Sequence, residues 1–171
     1  AVRINSLLVR SDRAHGNLSR RHALILNATP SAIVGFDAEG KVTFSNPATE
    51  KLTGWGPQDL QGLNMHHNLH GCLPDGTPLL PQDCTTCRAM ETHDADQGEA
   101  LFQRKDGSFF DIQFQAQPYF VNGAYAGGVL SFTDITERVA ANANLQRSEE
   151  QLQHLFENAP VSLWKEDFSA V

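Results

Sequence analysis

The sequence predicts an α+β fold: two strands, several short helices, then three antiparallel strands. Three observations predict it. Residues 99–104, 108–117 and 124–135 read as strands, and the Asp106-Gly107 and Asn122-Gly123 pairs between them are strong hairpin signals. The middle run alternates, with Phe110, Ile112, Phe114 and Ala116 on one face and Asp111, Gln113, Gln115 and Gln117 on the other. One face therefore meets a core and the other stays polar. Ahead of these runs lie two shorter apolar stretches, 32–36 and 41–45, followed by helical segments broken by proline and glycine.

Taken in order, residues 7–27 read as helix, with Leu18, His22, Ile25 and Leu26 on one face and Gly16 as an interruption. Thr29-Pro30 ends it, because a residue before proline avoids the helical region. The strand 32–36 turns through Asp37-Ala38-Glu39-Gly40 into the strand 41–45. Asn46-Pro47 opens a short helix, with Asn as N-cap and Pro at the first helical position, and Gly54 closes it in the left-handed conformation. Residues 61–81 are the least regular, carrying Pro74, Pro78, Pro81 and Asp75-Gly76, and 82–92 read as helix. The last strand runs without a loop into Asp134-Ile135-Thr136-Glu137 and a polar helix. A capping role for Asp134 or Thr136, with Glu137 favouring the helix dipole, accounts for that junction locally.

A chain of 171 residues suits one domain with extensions. A net charge of −7 argues against a nucleic-acid surface, and Arg10, Arg13, Arg20 and Arg21 read as one solvated helix face. No window approaches the roughly 18 consecutive apolar residues of a membrane span. The start, Ala1-Val2-Arg3, reads as a cut from a longer chain, without a signal peptide. Cys72, Cys84 and Cys87, an odd set in one short region, fit a reducing cytoplasm rather than a disulfide framework.

Four separate motifs carry a family resemblance. Phe44-Ser45-Asn46-Pro47-Ala48, Leu52-Thr53-Gly54-Trp55, Arg104-Lys105-Asp106-Gly107 and Asp134-Ile135-Thr136-Glu137 together resemble the PAS (Per-Arnt-Sim) sensor family. The resemblance implies a five-stranded antiparallel sheet with short helices on one face, flanked by N- and C-terminal helices. It also implies that Asp134, Ile135 and Thr136 relay a signal from the sheet to a C-terminal helix. Leu26-Asn27-Ala28-Thr29-Pro30-Ser31-Ala32 is echoed by Phe156-Glu157-Asn158-Ala159-Pro160-Val161-Ser162. The expected organisation is an N-terminal extension at 1–19, a sensor domain at 20–138, a signalling helix at 139–157 and the start of a second repeat at 158–171. Leu145 and Leu152, with Ala141, Ser148 and Leu155 between and beside them, make a weak heptad, consistent with a homodimer through the flanking helices or with a solvated helix.

The candidate chemistry lies in a His/Cys cluster. His66 and His70 stand one helical turn apart, and Cys84 and Cys87 at i and i+3 share a face of the following helix. Two imidazoles and two thiolates complete a tetrahedral shell for zinc or an iron centre. His67 and Cys72 are spare ligands. The pattern resembles a His/Cys-rich subset of PAS domains, in which the position of His66 is often Cys. Other readings remain open: buried apolar cysteines, a thiol redox pair, haem held by His66, His67 or His70, or a flavin bound without an adduct. Gly62-Leu63-Asn64-Met65 sits where photosensory relatives carry Gly-x-Asn-Cys; Met65 cannot form the flavin adduct, which leaves Asn64 as a capping residue. There is no phosphate loop, nucleophile motif or supported carboxylate pair, so the expectation is a sensor rather than an enzyme, its effector (a histidine kinase or cyclase) lying elsewhere. A ligand-free dimerisation spacer is the alternative.

Overall fold

The computed structural model describes Arg21 and residues 23–157. The expected extension at 1–19 and the second repeat at 158–171 lie outside those residues. Residues 23–28 are helical. The strands are β1 Ala32–Asp37, β2 Val42–Ser45, β3 Asp96–Gln103, β4 Phe109–Val121 and β5 Ala124–Asp134. The helices are α1 Pro47–Thr53, α2 Pro57–Leu60, α3 Met65–Leu69, α4 Thr85–Thr92 and α5 Thr136–Glu157.

The five strands form one antiparallel sheet in the order β2-β1-β5-β4-β3. Its connections follow from turn chemistry. Asn122 and Gly123, at φ 52° and 82°, adopt the paired positive-φ turn that matches strand twist between β4 and β5. The expected alternation of β4 holds: Phe110, Ile112, Phe114 and Ala116 are buried, while Gln113, Gln115 and Gln117 are exposed. Gly128 is required by a close approach, since a Cβ there would lie 2.5 Å from the Phe36 ring.

The largest departures from the sequence expectation lie at three element boundaries. β4 continues past Gln117 to Val121; beyond Ala116 it is paired only with β5, so Pro118 falls where one side of the strand is open. β3 starts at Asp96 rather than 99, because β4 offers a continuous partner to residues of low strand propensity. Pro81–Asp83 forms a 3-10 turn, and α4 starts only at Thr85, with Cys84 as its N-cap.

The inner face of the sheet carries the core. Phe102, Phe110, Phe114, Phe132, Leu130 and Ile112 are among its fully buried side chains. α1 packs on β1, α2 on β2, α3 on β3, and α4 on β3 and β4. Met65 and Leu69 of α3 join this core. Asn46 fastens β1 to α1. Its buried side chain accepts from the backbone N–H groups of Ile33 and Thr49 and donates to the carbonyls of Leu26 and Ser31. Every polar atom of the amide is thereby satisfied, as burial demands. No helix among the described residues is long and apolar enough to cross a membrane.

Candidate metal centre

α3 exists because Asn64 caps it, its side chain accepting from the His67 backbone N–H at 3.1 Å. Helical spacing then places His66 and His70 on the side that faces the core. The chain leaves α3 through a turn closed by the Cys72–Pro78 bridge and by Leu73 N–H donating to Thr77 O at 2.8 Å. Asp75-Gly76 supplies that turn, Gly76 at φ 83°. Leu79 N–H then donates to Gly71 O at 3.0 Å, bringing the returning strand beside α3. The 3-10 turn that follows delivers Cys84 to the start of α4.

The result joins two residue pairs that are distant in sequence. One donor atom from each of His66, His70, Cys84 and Cys87 lies within 4.8 Å of the others. Zinc bonds of ~2.0–2.3 Å in a tetrahedron separate ligand atoms by roughly 3.3–3.8 Å, so a small contraction would suffice to close the shell. All four residues are buried, with exposures of 4%, 2%, 4% and 4%. Cys87 Sγ lies 3.2 Å from His66 Nδ1 and 3.9 Å from His70 Nε2.

The surroundings orient these ligands. His66 Nε2–H donates to the Leu79 carbonyl at 2.8 Å, which leaves a lone pair on Nδ1, the atom facing Cys87. Thr86 Oγ1 lies 2.7 Å from His70 Nε2 and 3.0 Å from Cys84 Sγ. His70 is stacked on Phe102, ring centroids 4.8 Å apart and planes within 9°. Its buried Nδ1 has no hydrogen-bond partner.

Burial pushes His70 below the usual imidazole range, against the pull of Cys84. A hydrogen bond from Cys87 holds Cys84 far below the usual thiol range; burial opposes this, and His70 and Thr86 reinforce it. A neutral imidazole beside a thiolate is the protonation state that ligation requires.

The spare ligands fall elsewhere. Cys72 Sγ donates to Gln103 Oε1 at 3.4 Å, and exposed His67 is held by Asn64 Oδ1 at 2.9 Å from its Nδ1. Met65 is buried in the core, and Asn64 serves as the cap. Thr86, the Leu79 carbonyl and Phe102 were not legible as participants. A hydroxyl between two cysteines was the one available signal; a backbone carbonyl has none.

A run of contacts leads from the cluster to the end of β5. Phe102, stacked on His70, meets Phe110 edge-on at 6.3 Å. The Arg104 guanidinium lies 3.9 Å above the Phe110 ring, bonds the Leu52 carbonyl and pairs with Asp134 at 2.8 Å. Ile135 is buried, and its N–H donates to Asp111 O at 2.9 Å. Only Ile135 separates β5 from α5, and the boundary between two compact units falls between Ile135 and Thr136. α5 buries none of its own residues.

A family model described as the PAS fold matches residues 20–134. The chain is 26% identical, over 139 residues, to a probable diguanylate cyclase, DgcE, of Escherichia coli (strain K12). That match covers 80% of this chain but spans only 12% of the relative's length. Among solved structures, a PAS domain from Colwellia psychrerythraea is 23% identical with a TM-score of 0.57, covering 70% of this chain and 98% of that one. An RNA-binding light-oxygen-voltage receptor is 22% identical with a TM-score of 0.63, covering 81% of this chain and 37% of that one.

Proposed function

The chain belongs to the PAS fold family over residues 20–134, and from that premise we propose that it is a sensory module of a bacterial signalling protein, its stimulus the metal occupancy of the His66, His70, Cys84 and Cys87 cluster. The carrying observation is the convergence of four buried donors, His66 already fixed in its ligating tautomer by Leu79. Bound there, zinc or iron would cross-link α3 to the start of α4. The chain's own residues do the rest. A change in the position of His70 would be felt by Phe102, and the Phe102–Phe110–Arg104 contacts would pass it to Asp134, from which the chain continues through Ile135 and Thr136. This is a population shift between two packings, and it requires the metal to prefer one of them.

In this reading α5 is the output element, paired with a second copy along Leu145 and Leu152, which are 59% and 56% exposed. The effector lies in other parts of the protein, and the relative described as a probable diguanylate cyclase supports a cyclase there. A second reading is favoured by Cys84, an N-cap with a depressed pKa three residues before Cys87: a thiol redox pair. The burial of both sulfurs favours ligation over exchange with an external thiol.

Elemental analysis with thiol titration tests the proposal. One zinc or iron per chain, with Cys84 and Cys87 protected from thiol reagents, is the expected result. Metal-free protein in which mild oxidation consumes two thiols would establish the redox pair instead, and three freely titrating thiols without metal would leave a ligand-free spacer.

A further inference from the structure

The cluster is buried but not sealed. A cleft of about 230 Å³ opens against it, with His66 and Cys87 at its wall and His67, Glu39, Asn64 and Met90 around it. His70 and Cys84 are not among its lining residues. The deep side is closed by the Phe102 ring stacked on His70 and by Thr86 between His70 and Cys84.

The lining of the cleft also supplies a fifth donor, His67. His67 follows His66 directly in α3 but is exposed, and the two ring centroids are 5.6 Å apart. Its Nδ1 can only donate to Asn64 Oδ1, at 2.9 Å, because a side-chain amide oxygen is an acceptor. In the neutral ring this places the lone pair on His67 Nε2, in the same way that the Leu79 carbonyl places that of His66 on Nδ1. The exposed Glu39 carboxylate, on the turn between β1 and β2, adds negative charge to the same cleft.

We propose that this cleft is the port through which a hydrated divalent cation reaches and leaves the cluster, with His67 as the capture ligand and Glu39 as its electrostatic guide. This rests on the metal reading of the cluster and deepens it. A cation held first by His67 passes to His66 and Cys87, one ring away, and is completed by His70 and Cys84 behind them. Exchange water for water and ligand for ligand needs no unfolding, so a buried centre can follow the metal level outside. A fixed structural staple would not.

Zinc exchange into and out of the full chain tests the port. The chain is stripped of metal, zinc alone is added, and its transfer from and to a chromophoric chelator is followed by stopped flow for wild type, His67→Gln and Glu39→Gln. His67→Gln should slow uptake and release by the same factor. Affinity stays unchanged, because His67 is not in the final shell; Glu39→Gln should slow both rates less. Wild-type rates in His67→Gln would overturn the port, and so would lost affinity with faster release, which would make His67 a resident ligand. Wild type that takes up no zinc would overturn the metal reading and the port together, whereas normal zinc affinity with unaltered exchange in both variants removes the port alone.

Discussion

α4 and α5 are both largely polar in sequence, yet they are built for different surroundings. α4, only eight residues long, buries Thr86 and Cys87 behind its buried N-cap Cys84. α5, with 22 residues, buries none. Polar composition alone therefore does not tell an inward-facing helix from an outward-facing one. In α4 the buried residues are small, and Thr86 serves both Cys84 and His70, while Met90 packs against the core. In α5 the apolar residues Leu145 and Leu152 are largely exposed. Substitutions on the two sides should accordingly report on different quantities, core and metal on one, association on the other.

The largest effect is expected at the cluster's floor. Phe102→Ala should cost about 3–5 kcal/mol of stability, the range for an emptied aromatic core position, measurable by urea unfolding. A cost near zero would mean that the His70–Phe102 stack is not part of the core. Asn46→Ala comes next. It should cost roughly 2–3 kcal/mol, since it removes a cap and the amide's hydrogen bonds to Ile33, Thr49, Leu26 and Ser31.

Arg104→Gln should cost only about 1 kcal/mol, because its ion pair with Asp134 is partly exposed. Its informative effect is on coupling. In wild type, metal loading should change the hydrogen-exchange protection of the Ile135 amide; in Arg104→Gln that change should vanish while metal still binds. Metal-dependent protection that survives the substitution would exclude the Phe110–Arg104–Asp134 route. The smallest effect on folding belongs to Leu152→Glu, within about 0.5 kcal/mol for an exposed site. Sedimentation should nevertheless show weakened self-association; unchanged association would detach α5 from the dimer.

The readable parts of this molecule were those set by neighbours in sequence. The Asn46 cap, the Gly54 stop, the Asn122-Gly123 turn and the alternation of β4 depend on a few adjacent residues, and each stands where the sequence put it. Each ligand pair was legible for the same reason, because spacings of four and three place side chains on one helical side. Their meeting was expected from ligand type and pairing alone, not from any local signal. It depends on a turn closed by the Cys72–Pro78 bridge and on the carbonyl of Leu79, neither of which has a side-chain signature. α4 starts later than the sequence suggests because Pro81 opens a 3-10 turn, which makes Cys84 the cap rather than an interior residue. Cys72 and His67, expected only as spare ligands, lie outside the four-donor group.

Absorption spectroscopy at the metal edge of the purified chain addresses the cluster most directly. Two sulfur neighbours at ~2.3 Å and two nitrogen neighbours at ~2.0 Å are the predicted shell, with sulfur scattering lost stepwise in Cys84→Ala and Cys87→Ala. A shell of nitrogen and oxygen alone, or wild-type spectra from both variants, would contradict the assignment of these four residues.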